Sequence, residues 1–183
     1  MRILFFLLIT ILGLTNCAKK VSNLALKDYQ SLEGIRIGMP VVDALKVLDK
    51  KFLVEKKTVK AMDDEPESID YLVTTKKKES LFTFNSGYEK QNKNNVFRIV
   101  IKSPTYTTPE GARVGMTVKE LKTKSKLKSA DFNFQDGLFL LSSKFDGGFW
   151  IDLDPKKQYK FNYEKPALKD IPDDLKVKGI IFF

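Results

Sequence analysis

A chain of 183 residues, 43% of them apolar or aromatic, is long enough to bury one ordinary core and too apolar to stay disordered. Its net charge of +9 reflects 32 Lys and Arg against 23 Asp and Glu, spread evenly over both halves, so no basic arm points to nucleic acid. There is no histidine and a single cysteine, which excludes an internal disulfide and any Ser-His or Cys-His catalytic pair in this sequence.

At the start of the chain, Arg2 precedes an apolar run from Ile3 to Leu14, and Leu14-Thr15-Asn16-Cys17 follows. A basic residue, a short apolar stretch and a polar cleavage site describe a secretory signal peptide over residues 1–16. Twelve helical residues would reach only about 18 Å, short of the ~30 Å hydrocarbon core, so a spanning helix is the poorer reading. Cys17 with Leu at −3 resembles the lipobox of bacterial lipoproteins. Asn16 departs from the usual small residue at −1, a relaxation that resembles the lipoboxes of spirochaetes and some other diderm bacteria. The resemblance implies cleavage before Cys17, a diacylglycerol on its thiol and a fatty acyl group on its amine. Residues 17–21 then form the lipidated cysteine and a polar tether. Two or three acyl chains at about 0.8 kcal/mol per buried CH₂ anchor stably where one does not. The expected location is the cell envelope, at the outer membrane of a diderm bacterium.

Residues 29–41, YQSLEGIRIGMPV, return 77 positions later as YTTPEGARVGMTV, with seven of thirteen positions identical. This reads as an internal duplication, with units at residues 22–103 and 104–183. In the first unit, Ser22–Leu26 reads as a short strand. Gly34 and Gly38 bracket a small extended piece, and Pro40 suits a helix start. Val41, Ala44, Leu45, Leu48 and Phe52 recur at helical spacing, which predicts an amphipathic helix. Strands are predicted at Ile69–Thr75, Ser80–Phe84 and Val96–Ile101, the first two joined by a turn at Lys76-Lys77-Lys78. In the second unit, Thr117-Val118-Lys119-Glu120 has capping-box spacing and predicts a shorter helix from Val118. Strands are predicted at Leu138–Ser142, Gly148–Leu153, Tyr159–Tyr163 and Val177–Phe183. The expected fold is α+β: two tandem units of motif, helix and about three antiparallel strands, sharing one sheet with the helices on one face.

Gly38-Met39, Leu81 and Phe84, Gly87 and Val96–Ile99, with the looser set Gly115-Met116, Phe149–Leu153 and Val177–Ile180, are similar to a known arrangement. They resemble the small barrel-assembly outer-membrane lipoproteins and the β-lactamase inhibitory proteins, the latter carrying such a unit in tandem. The resemblance covers most of residues 29–183. It implies binding or assembly rather than catalysis, and no contact motif of those families is matched.

Arg36 and Arg113, repeated between apolar neighbours, are candidates for partner binding, although such an Arg ordinarily faces water or pairs with its own Glu33 or Glu110. Tyr29 and Tyr106 read as packing anchors. Lys119 and Lys122 belong to the densest basic run, with Lys124, Lys126 and Lys128; it suits acidic headgroups or an acidic protein, or simply a solvated face. Trp150 lies on the strand face opposite Phe149 and Ile151 and is the better aromatic surface candidate, whereas Tyr159, Phe161 and Tyr163 alternate toward the interior. The acids Asp63, Asp64, Glu65 and Glu67, and separately Asp146, Asp152 and Asp154, lack calcium-loop spacing and read as solvated turns. No metal, no catalytic residue and no cofactor beyond the lipid on Cys17 is expected. The reading is a membrane-anchored, non-enzymatic binding or scaffold protein that contacts another envelope protein and no nucleic acid. The alternatives are a carrier of an apolar or anionic small molecule, and third an enzyme built on carboxylates.

Overall fold

The computed structural model describes residues 24–25 (backbone only), 29, 31–59, 68–87, 94–134 and 136–183, and in it the two copies of the repeated motif adopt like conformations. In chain order the elements are β1 (Leu24–Ala25), β2 (Ser31–Leu32), β3 (Ile35–Arg36), α1 (Val41–Leu48), β4 (Leu53–Val59), β5 (Ser68–Thr74), β6 (Ser80–Ser86) and β7 (Val96–Ile101). Then follow β8 (Tyr106–Thr107), α2 (Val118–Lys124), β9 (Leu127–Asn133), β10 (Gly137–Ser142), β11 (Gly147–Asp152), a 3-10 turn (Leu168–Asp170) and β12 (Lys176–Phe182).

The motif works as a clamp between a helix start and a strand. The Gly38 N–H donates to Val96 O at 2.8 Å, and Met39 O accepts from Val96 N–H at 2.7 Å. In the second copy Gly115 N–H donates to Val177 O at 2.8 Å, and Met116 O accepts from Val177 N–H at 2.8 Å. The first helical N–H groups are placed the same way, Val41 on Asn94 O and Val118 on Leu175 O, both at 2.7 Å. Such bonds satisfy donors that a helix start leaves orphaned. Gly38 (φ +79°) and Gly115 (φ +87°) sit in the left-handed region that aims these N–H groups at the strand, which is the physical reason for glycine there.

Eight strands form one antiparallel sheet in the order β4-β5-β6-β7-β12-β11-β10-β9. The order is a palindrome: four strands after α1 and four after α2 meet at the β7–β12 pair. One row of side chains crosses it, Val73, Phe82, Ile101, Ile180, Phe149 and Leu140, registered strand to strand and each 0% exposed. Each such side chain contributes about 1.5–3 kcal/mol on burial. Ala44 and Leu48 of α1 and Val118 and Leu121 of α2 complete this core.

The α+β expectation, with helices covering one face, is overturned: the molecule is mostly β. The helices have eight and seven residues. Eight residues of helix span about 12 Å, whereas eight strands at ~4.8 Å spacing span about 34 Å, so two such helices do not make a layer. The β2–β3 hairpin and irregular segments do much of the covering instead; Leu32 and Ile35 of the hairpin, and Ala112, Phe161 and Ile171 outside regular elements, are all buried in the same core. Each half also contributes to the sheet one strand that was not expected, β4 and β9. The strand expected at Tyr159–Tyr163 is a loop. The strand before it, β11, already has β10 and β12 on its two edges, which leaves no ladder for that segment to join. The strand expected at Ser22–Leu26 is described only at Leu24–Ala25, where it pairs in parallel with β8.

Candidate functional site

Around the turn between β9 and β10 the fold gathers an aromatic cleft. Phe132, near the end of β9, meets Phe134 edge-on at 5.3 Å and Tyr163 at 4.9 Å between centroids. The loop after β11 supplies the facing wall, and its two phenols fix its shape. The Tyr159 hydroxyl accepts from the Asp154 N–H at 2.9 Å, and the Tyr163 hydroxyl accepts from the Tyr159 N–H at 3.0 Å. Trp150 of β11 closes the third side. Its indole N–H donates to Asp136 O at 2.6 Å, and its ring stacks on Phe139 at 6.1 Å. The Lys178 ammonium stands 4.2 Å from the ring centroid, a cation–π geometry. The cleft has a volume of about 350 Å³ and opens to solvent. Beside it the Phe134 ring is 92% exposed, while Phe161, which packs on Phe132 and Tyr163, is 3% exposed. A rigid aromatic wall with one ring left in water is chemically a surface for apolar or aromatic groups.

The residues singled out in the sequence fall in several places. Trp150 is half-buried and lines this cleft, between the buried Phe149 and Ile151. Arg36 and Arg113 are both exposed, on the two motif hairpins. Glu33 does not pair with Arg36. Its carboxylate accepts from the Tyr106 hydroxyl at 3.1 Å and lies 4.0 Å from the Lys51 ammonium, so it joins the first hairpin to the second. Tyr106, 2% exposed, has its phenol pK pushed well up, first by burial and then by the Glu33 carboxylate. Arg113 lies within electrostatic reach of Glu120. That carboxylate is held below its usual range chiefly by the Thr117 backbone N–H and hydroxyl, with Arg113 adding a smaller pull. Tyr29 stacks on Phe145 at 4.4 Å.

Lys119 and Lys122 converge on Asp173: the Lys119 N–H donates to its carbonyl at 3.0 Å, and the Lys122 ammonium to its carboxylate at 2.8 Å. None of these four basic residues lines the aromatic cleft. Asp146, Asp152 and Asp154 are exposed, and among the described residues no group of three or more His, Cys, Asp or Glu is arranged to hold a metal ion. Cys17 and the acids at 63–67 lie outside the described residues.

Phe134, Phe139 and Lys178 were not read from the sequence as site residues. For Phe134 a signal was present in Asn133-Phe134 followed by Asp136-Gly137: turn-forming residues on both sides of a Phe place an aromatic ring at a loop tip, where burial is unavailable. Phe139 and Lys178 sit on strands and carried no such signal.

The fold has a counterpart among solved structures. The crystal structure of the uncharacterized protein yfeY from Escherichia coli matches it with a TM-score of 0.61 at 10% sequence identity, covering 87% of this chain and 98% of that one. At that identity the likeness speaks for the fold alone. No family model matches the sequence, and no curated protein matches it.

Proposed function

We propose that this protein is a lipid-anchored binding module of the bacterial cell envelope, and that it holds another protein against the aromatic surface around Phe134. The observation that carries the reading is the 92% exposure of Phe134 beside a cleft walled by Trp150, Tyr159 and Tyr163. Leaving a Phe side chain in water forgoes about 1.5–3 kcal/mol, and aromatic anchors in clefts are where binding energy concentrates. The apolar run ending at Cys17 supports the anchor. The repeated-unit arrangement, similar to binding and assembly families, supports the non-enzymatic role.

A photo-crosslinking residue placed at position 134 in cells should give one discrete adduct with an envelope protein, and the same residue at Lys56 on the exposed β4 should not. Equal adducts at both sites, or none at 134, would sink the protein-binding reading. The anchor has its own test. Cys17→Ala should abolish labelling by a palmitate analogue, and unchanged labelling removes it.

The carrier reading has one observation in its favour. An open cleft of about 410 Å³ lies between α1 and β5, lined by Val41, Val42, Leu45, Ile69 and Tyr71. Saturable binding of a fluorescent fatty acid, lost in Leu45→Glu, would favour it.

A further inference from the structure

We propose that the cleft beyond the C-terminal end of α2 binds a phosphate group. The cleft has a volume of about 640 Å³ and is lined by Lys122, Lys126 and Lys169, with Ser125 and Ser143 among them and Leu127 and Leu168 on its apolar side. No residue lines both this cleft and the aromatic one.

Three separate stretches supply the lysines: α2, its connection to β9, and the 3-10 turn. The fold therefore assembles the charge, and the dense basic run in the sequence accounts for only part of it. The walls are tied together. The Lys122 ammonium donates to Ile171 O at 3.4 Å and to the Asp173 carboxylate at 2.8 Å, which holds the segment after the 3-10 turn against α2. Both the N–H and the hydroxyl of Ser143 donate to Lys126 O, at 2.9 and 3.0 Å, which pins the backbone at Lys126.

The charges are not equally answered. Lys122 has Asp173, and as a last-turn cation it also complements the negative end of α2. Lys126 and Lys169 lie past the helix, and among the described residues neither has an ion-pair partner. Two ammonium groups on one cleft repel each other until an anion sits between them. A phosphate supplies the charge and several acceptor oxygens, and lysine binds it as a point charge. The Ser125 hydroxyl is buried without a hydrogen-bond partner, a state that costs about 1–3 kcal/mol, and it borders the same cleft. Rotation about its χ1 offers that hydroxyl to a bound oxygen. The leucines suit the carbon part of an organic phosphate, either a phospholipid headgroup or a soluble phosphate ester.

The full chain in a non-ionic detergent would be titrated with inorganic phosphate at constant ionic strength, with amide NMR shifts as the readout. It would also be floated with vesicles of phosphatidylglycerol or of phosphatidylcholine. A hydrophobic anchor contributes to both vesicles alike, so the preference between them reads the cleft. Saturating shifts at Lys126 and Lys169, weakened about thirtyfold in Lys126→Gln/Lys169→Gln, assign the site to a soluble phosphate; two lysines near an anion are worth roughly that factor. No saturation, with a phosphatidylglycerol preference that disappears in the same double variant, assigns it to a lipid headgroup. A response unchanged in the double variant, or no response to either probe, overturns the site. So does an equal loss in Lys56→Gln/Lys57→Gln, which removes the same charge from the far edge of the sheet.

Discussion

Tyr106 and Glu33 come from opposite copies of the motif, and their hydrogen bond joins residues 73 apart in the chain. Because burial and the Glu33 carboxylate raise the phenol's pK in the folded state, the protonated phenol favours folding. Below about pH 10 it is protonated in both states and the stabilisation is complete. Above that the unfolded chain ionises first, and stability falls with pH toward the higher folded value. Tyr106→Phe should therefore flatten the alkaline limb of urea-unfolding stability above about pH 10; an unchanged limb would mean another group sets it.

The glycines act at the same scale. A Cβ at Gly38 or Gly115 meets no atom within 4 Å, so the cost of substitution is backbone strain alone. Gly38→Val and Gly115→Val should lose about 1–3 kcal/mol, and Gly38→Asn much less, since Asn tolerates the left-handed region. Exposed Arg36→Ala should lose under roughly 0.5 kcal/mol. Urea midpoints at constant slope measure all four, and a loss for Arg36→Ala equal to that of Gly38→Val would mean that Arg36 holds the hairpin. The need for glycine at matched positions was legible in the sequence. The bond from Tyr106 to Glu33 was not, because only the folded topology brings the two hairpins together.

Among the elements, the helices start by different means. α2 has a complete capping box, the Thr117 hydroxyl on the Glu120 N–H and the Glu120 carboxylate on the Thr117 N–H. α1 begins after Pro40 with no side-chain cap and depends on the Asn94 carbonyl for its first N–H. Thr117→Ala should therefore cost about 1 kcal/mol, read as a lower thermal midpoint with no change in sheet signal, while Pro40→Ala should cost less. If the two cost the same, the box is not what holds α2.

The box was visible in the sequence because its spacing is local. The edge strands β4 and β9 were not: Leu53–Val59 is largely exposed, Leu127–Asn133 has no fully buried residue, and the charged and polar residues of both interrupt the apolar alternation that marks a half-buried strand. Lysines on such edges also discourage pairing with other chains. The loop at 159–163 misled for the opposite reason. Tyr, Phe and Tyr at alternate positions imitate a strand, yet the segment is held by its own phenols and by Phe132. The same loop makes the aromatic cleft, so Trp150 could be picked out in advance while its surroundings could not.

For the molecule as a whole, the decisive contact is the seam where β7 pairs with β12, Ile101 facing Ile180 and Ile99 facing Phe182. Ile101 and Ile180 are each 0% exposed, in the middle of the row that crosses the sheet. Ile101→Ala and Ile180→Ala should each cost about 2–5 kcal/mol, a large share of the 5–15 kcal/mol typical of a domain. They should also leave a single unfolding transition, because the seam belongs to both halves. Two separated calorimetric peaks would show that each half stands by itself.

The palindromic order has a consequence in time. β12 follows every other strand in the sequence, yet its place is at the centre. Strands β4 to β7 can meet in the order they are made, but they end on β7 with a bare edge, and its partner is the last strand of the sheet to emerge. While a ribosome or an export channel still holds residues 176–182, the sheet cannot close. A chain threaded through a membrane, as the proposed anchor at Cys17 requires, is thereby kept from locking shut before its passage is complete. On the far side, until β12 arrives, β7 is an open template on which another copy could pair, so the interval of risk lasts as long as the second half takes to cross.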